Sequence, residues 1–224
     1  MRLVRSFLSV SLMLLVAAGA SAGPIGIHPG FKVGLTVANL DGNISSAADL
    51  ESRSDVTFGG TLRIDLGPYF SLQPELQYVP TGGKGSLVVD NGGVPATVDG
   101  ALKLNYLELP LLAKFRLPGS PSMVPNLYLG PTAALNLASK LQGDLTAAGG
   151  SVSGEADLKD QVESLLFGGS VGGGFDLRMG KGLLTLDARY SKSFSEIFKA
   201  VSSGVMSGVD PKNNSMTVTL GYSF

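Results

Sequence analysis

The chain has 224 residues, a formal charge of −1 and no cysteine. That balance excludes the basic field on which nucleic-acid binding depends, and the lack of thiols excludes a disulfide framework and a thiolate metal site. Thirty-one glycines and no tryptophan suit tight turns and strands better than packed helices, and no linker-like stretch divides the sequence, so one fold is expected.

The first residues read as a leader. Arg2 and Arg5 precede an apolar run from Phe7 to Ala18, and Ala20-Ser21-Ala22 supplies a small-residue cleavage site, the pattern of a secretory signal peptide over residues 1–22 with 23–224 as the mature domain. The apolar run is too short to cross a bilayer of about 30 Å comfortably. Export is therefore expected.

From there the sequence alternates. After a lead containing Pro, Gly and the single histidine His28, Phe31, Val33, Leu35 and Val37 oppose Lys32, Gly34, Thr36 and Ala38, the period of a strand with two unlike faces. Asp41 to Asp55 is polar and reads as a loop. Phe58, Leu62, Ile64 and Leu66 then oppose Thr57, Thr61, Arg63 and Asp65, and only Gly67-Pro68 separates them from a third segment with Phe70, Leu72, Leu76 and Tyr78 on one face. Asp90-Asn91-Gly92-Gly93, flanked by Leu87-Val88-Val89 and Val94–Val98, suits a hairpin turn at the tip of a ribbon longer than a bilayer needs. A fourth segment, Leu102 to Leu117, sets Leu107, Leu109, Leu111, Ala113 and Phe115 against Glu108, Lys114 and Arg116.

Past a Pro-rich connection, Pro118 to Pro125, come Leu127, Leu129, Ala133, Leu135 and Leu137 on one face, then a polar loop, Gln142 to Glu163, with a helical turn expected over Asp157 to Val162. Leu165 to Leu177 follows, Met179-Gly180-Lys181-Gly182 makes a tight turn, and Leu184, Leu186, Ala188 and Tyr190 oppose Thr185, Asp187, Arg189 and Ser191. A long loop, Lys192 to Asn214, leads to the closing segment, in which Met216, Val218, Leu220, Tyr222 and Phe224 share a face opposite Thr217, Thr219, Gly221 and Ser223.

About eight strands whose connections alternate between long and short are what a bacterial membrane barrel predicts. The expectation is an all-β fold: a closed antiparallel up-and-down transmembrane β-barrel with short periplasmic turns, long outer loops and both termini in the periplasm. A charge network is expected inside, with Lys32, Arg63, Lys114, Arg116, Arg178 and Arg189 against Asp65, Glu75, Glu108, Asp176 and Asp187, because eight strands leave room only for side chains. Pro74, Pro110 and Pro131 remove ladder donors, and each is expected at a bulge or an unpaired position.

The segments Leu72–Tyr78, Tyr106–Lys114, Leu127–Pro131 and Leu220–Phe224 resemble the PorT-like outer-membrane β-barrel family over most of the mature chain. That resemblance implies a small barrel in the outer membrane of a Gram-negative bacterium, of a kind some of whose members attach to secretion machinery, and no catalytic residues. It also implies that Leu220, Tyr222 and Phe224 act as the signal read by the barrel-assembly machinery.

Chemistry is expected to be absent. His28 lies before the first predicted strand, remote from a hydroxyl nucleophile, and no strand histidine offers the base of a lipid hydrolase. Gly168-Gly169-Ser170-Val171-Gly172-Gly173-Gly174 precedes a strand rather than the helix a phosphate loop requires, so its glycines are expected to make room in the lumen. Asp41, Asp49, Glu51 and Asp55 lack the spacing of a calcium loop. No enzyme, metal or cofactor is expected. The partners expected are outer-membrane lipid, the assembly machinery and an unidentified ligand or protein at the outer loops. A narrow channel, an accessory of a secretion complex and a soluble exported ligand-binding barrel stand as alternatives to a structural or loop-mediated binding role.

Overall fold

The computed structural model describes residues 26–41, 49–91, 94–147, 150–195, 197 and 212–224. Among these, nine strands run in chain order: β1 (Gly26–Asp41), β2 (Asp49–Asp65), β3 (Phe70–Asn91), β4 (Val94–Arg116), β5 (Met123–Ala147), β6 (Gly150–Asp157), β7 (Leu165–Met179), β8 (Gly182–Ser193) and β9 (Lys212–Ser223). All but β6 join edge to edge into a closed antiparallel barrel, since β4 also pairs with β5 and β9 returns to β1.

Closure is visible in the register. Ile27 faces Ile64, Ile64 faces Leu72, Leu72 faces Ala113 and Ala113 faces Leu129. Leu129 faces Val171, Val171 faces Tyr190, Tyr190 faces Met216 and Met216 faces Val37. The circuit leaves β1 at residue 27 and returns at residue 37, a stagger of ten residues. Eight strands so staggered tilt by about 40° and enclose a lumen that side chains can fill.

The outward side of this wall is apolar. Phe31, Val33, Leu35, Leu109, Leu127, Leu129, Val171, Val218 and Leu220 are all exposed, whereas the alternate residues Lys32, Thr36, Lys114, Asn126, Thr217 and Thr219 are buried. On β4 the greasy phase holds from Leu107 to Leu117 and is inverted before Leu107: Leu104 and Tyr106 point inward and are fully buried, while the alternate residues Lys103 and Asn105 are on the outward phase. β3 inverts at the same level, where Tyr78 faces Leu107 and the next residue, Val79, is buried against Tyr106. Ten residues of a strand so tilted make a belt about 25 Å tall, the height of a bilayer's apolar band. Aromatic rings mark both rims: Phe70 with Phe115 and Phe31 with Tyr222 and Phe224 at one, Phe58 with Tyr78 at the other.

The two ends differ. At one, β2–β3, β4–β5 and β7–β8 are joined through residues 66–69, 117–122 and 180–181. At the other, strands overshoot the belt. The β3–β4 ribbon is paired continuously from Gln77↔Glu108 to Asn91↔Val94; the Gly92-Gly93 of the expected hairpin turn lies outside the described residues.

Beside it, β5 runs on to Ala147 and pairs with β6, whose eight residues are all exposed. This corrects the polar loop expected over Gln142 to Glu163, of which, among the described residues, only the part after Asp157 is a connection. There the expected helical turn is present, with the Gln161 and Val162 amides both donating to the Leu158 carbonyl at 2.9 and 3.1 Å. The loop expected to last until Asp55 likewise ends at Asp49, where β2 begins.

Backbone irregularities fall where the sequence demands them. Pairing lapses between β2 and β3 beside Pro74, between β3 and β4 beside Pro110, and between β4 and β5 beside Pro131, each time resuming in the same register. A missing donor thus costs a rung without displacing the strand. Gly82 takes a φ of 132°, and a Cβ there would lie 2.0 Å from the Leu102 carbonyl oxygen, so only glycine fits where β3 leaves the barrel and its pairing with β2 shifts register.

Candidate functional site

The inward face of the belt carries the chemistry. Glu75 on β3 accepts hydrogen bonds from Lys32 Nζ of β1 at 2.9 Å, from Arg189 Nη2 of β8 at 2.6 Å and from Gln73 Nε2 at 2.6 Å. Arg189 Nη1 donates to Gln77 Oε1 at 3.0 Å, and its guanidinium stands 5.3 Å from the Tyr128 ring centre. Asp187, also on β8, accepts from Lys32 at 3.2 Å, from the Tyr128 hydroxyl at 2.7 Å and from Thr219 Oγ1 at 2.9 Å. Strands β3 and β8 lie opposite one another in the eight-strand circle. These bonds therefore tie the wall together across its full width.

Room for this cluster comes from the glycine run of β7. A Cβ on Gly172 would lie 2.5 Å from the Tyr128 hydroxyl oxygen, and one on Gly174 would lie 2.9 Å from the Asp187 Cβ. The glycines admit the ring and the carboxylate, as the strand context of the run implies.

Towards the short-turn end a second group follows. Lys114 Nζ lies 3.0 Å from Asp176 Oδ1, which also accepts from Thr185 Oγ1 at 2.7 Å. At the mouth, Arg116 Nη2 donates to Asp65 Oδ1 at 2.8 Å, Arg63 Nε lies 3.2 Å from the same oxygen outside hydrogen-bonding alignment, and His28 Nε2 lies 3.4 Å from Asp65 Oδ2.

Three of the residues expected in the lumen or the lead sit otherwise than anticipated. Arg178 points inward by phase but lies where β7 emerges, so it is exposed at the mouth. Glu108 is buried, yet makes no hydrogen bond or ion pair among the described residues; it borders a cavity of about 30 Å³ with Thr132, Ser191 and Ser215. Beside it the Thr132, Ser170 and Ser191 hydroxyls are linked in a row at 2.8 Å each.

His28, expected ahead of the first strand, belongs to β1, because pairing with β2 continues to Gly26↔Asp65 even though Pro29 ends the ladder with β9. It has Asp65 on Nε2 and donates from Nδ1 to the Phe224 main-chain oxygen at 2.9 Å. Among the described residues no group of three or more His, Asp or Glu is placed to hold a metal; the side chains of Asp41, Asp49 and Glu51 lie outside them.

Above the charges, at the long-loop end, the filling changes character. Leu104 and Tyr106 of β4, Ala134 of β5 and Leu166 of β7 meet Leu158 and Val162 from the helical turn and Ile197 from the β8–β9 connection in a buried apolar cluster. Sequence reasoning missed this tier. Its signal is the phase inversion at Tyr106/Leu107 together with two apolar residues four apart in a polar stretch.

Leu220 and Phe224 are exposed on the outer face of β9, and Tyr222, half-buried beside them, packs its ring edge-on to Phe224 at 5.2 Å.

No curated protein matches the chain. Among solved structures it is similar to the outer membrane protein OprG from Pseudomonas aeruginosa, at 18% identity over 92% of this chain and 98% of that one, with a TM-score of 0.45. It is also similar to Neisserial surface protein A, at 11% identity over 90% and 100% with a TM-score of 0.45. A third is Ail, the attachment invasion locus protein of Yersinia pestis, at 12% identity over 88% and 98% with a TM-score of 0.39. The sequence profile described as the outer membrane protein beta-barrel domain matches residues 18–199, and the chain belongs to that family of outer-membrane barrels.

Proposed function

We propose that this barrel is a passive element of the outer membrane, with a lumen stoppered by its own side chains and any specificity carried by the strands and loops that project beyond the belt. One observation carries the reading: the Lys32–Glu75–Arg189 bridge spans opposite walls and the apolar tier closes the lumen above it. An aqueous path through both would require breaking buried ion pairs. The projecting β3–β6 sheet supplies a platform for a ligand or protein at the outer surface.

In the orientation that goes with this reading, residues 1–22 are removed on export, both ends of the mature chain and the short turns face the periplasm, and the long-loop end faces outward. Leu220, Tyr222 and Phe224 meet the assembly machinery, and outer-membrane lipid covers the belt. The motifs at Leu72–Tyr78 and Tyr106–Lys114 favour the PorT-like branch. No catalytic step is assigned.

Planar-bilayer recording tests the stopper. The purified barrel, verified as folded by its altered gel migration before boiling, should give no stable conductance, whereas Glu75→Ala/Arg189→Ala should leak. Stable steps from the wild type that vanish on changing Arg63 or Glu75 would make the narrow channel the correct reading.

A further inference from the structure

We infer that the short-turn mouth of the barrel is a binding site for a phosphate-bearing anion. A cavity of about 340 Å³ opens there, bordered by Arg63, Arg116, Arg178 and Lys181, with Asp65 as the single acidic side chain among its lining residues and Phe224 beside it. Asp65 is already shared: Arg116 donates to one of its oxygens at 2.8 Å, and Arg63 Nε and His28 Nε2 lie 3.2 and 3.4 Å away. The next acid inward, Asp176, is committed to Lys114 and Thr185. Four permanent cations thus face one acidic side chain and the main-chain oxygens of Phe224, one of which already accepts from His28.

Arg63 is the telling member. It is only 5% exposed, its Nε has no hydrogen bond, and its guanidinium shares one oxygen of Asp65 with Arg116. A buried guanidinium with a fraction of a counter-ion is costly, and a tetrahedral oxyanion seated against it and Arg116 would supply the missing acceptors through the fork geometry that arginine offers to phosphate.

Arg178 and Lys181 stand at the rim on opposite sides of Gly180, exposed and without a described partner. They are placed to cover an anion's outer oxygens. The volume is at the small end for ligand sites, about right for a headgroup-sized molecule rather than a bare ion. The site does not depend on whether the lumen conducts or on which way the barrel faces.

The test is isothermal titration calorimetry of the refolded full chain in uncharged micelles, with pyrophosphate as probe at fixed ionic strength. Saturable binding is expected at one site, with affinity lowered at least about tenfold in Arg178→Gln/Lys181→Gln. That variant changes only exposed side chains without a partner among the described residues, and its gel migration confirms folding. Repeating the titration in discs of phosphatidylcholine with and without phosphatidylglycerol separates the sources. Weakening of pyrophosphate by phosphatidylglycerol identifies a lipid headgroup, and indifference to it identifies a free phosphate compound. No saturable heat, an equal response to chloride, or equal binding by the variant overturns the site.

Discussion

The two halves of the lumen are built from the same alternating strands and filled with opposite chemistry. Towards the short turns, the inward residues are Lys32, Glu75, Lys114, Asp176, Asp187 and Arg189, locked in ion pairs at 2.6–3.2 Å. Towards the long loops, they are Leu104, Tyr106 and Leu166, capped by Leu158, Val162 and Ile197. The difference follows from what surrounds each level. Inside the belt the outer face must be apolar to meet lipid, so every polar contact holding the wall must lie within. Above the belt the outer face meets water, and burial of grease against loops becomes the available driving force.

If that contrast is right, the two halves should fail differently. The largest effect is expected from Glu75→Ala, which strands Lys32 and Arg189 in the lumen and should cost about 3–5 kcal/mol, read as a fall in the temperature at which the folded band disappears on unboiled gels. Next is Leu104→Ala in the outer tier, at about 2–3 kcal/mol because side chains from the connections can settle into the space; limited proteolysis should then cut the 158–164 connection while the barrel core stays protected. Tyr128→Phe removes one hydrogen bond to Asp187 and should cost about 1–2 kcal/mol by the same thermal measurement.

The smallest effect lies on the projecting sheet, where Lys140 donates to Glu155 at 2.6 Å. This hydrogen bond holds the Glu155 carboxyl below its ordinary 4.5 and the Lys140 ammonium above its ordinary 10.5. The depressed carboxylate contributes stability above pH 4.5 that is lost as pH falls through its lowered value; the raised ammonium contributes below pH 10.5 and is lost as pH climbs through its raised value. In an NMR titration the Glu155 carboxyl should titrate at lower pH than in Lys140→Met, with the barrel's midpoint unchanged between the two.

The sequence shows the barrel wherever one face of a strand meets lipid and the other a polar lumen, because that contrast imposes the period of two. Hence β7, β8 and β9 are legible nearly to their ends. It fails where both faces meet the same medium. Gln142 to Asp157 is polar on both sides, so the outer half of β5 and all of β6 look like a loop, and Gly26 to Pro29 is masked by its glycine and proline. Of the site, the charges on β1, β3, β4, β7 and β8 are legible from phase alone. Which of them pair is not, since the Glu75–Arg189 contact joins residues 114 apart in the chain and depends on the stagger of closure. Glu108 shows the limit, being in phase and buried yet without an ion-pair partner among the described residues.

The central claim is that one face of each strand is bathed in lipid and the other sealed from both lipid and water. With no native cysteine, single cysteines carrying nitroxide labels along β9 in a reconstituted bilayer test it directly. Labels at Met216, Val218 and Leu220 should be relaxed by membrane-dissolved oxygen, and labels at Thr217 and Thr219 should be shielded from oxygen and from a water-soluble relaxant alike. Oxygen access without alternation, or water-soluble relaxant reaching Val218, would contradict the account.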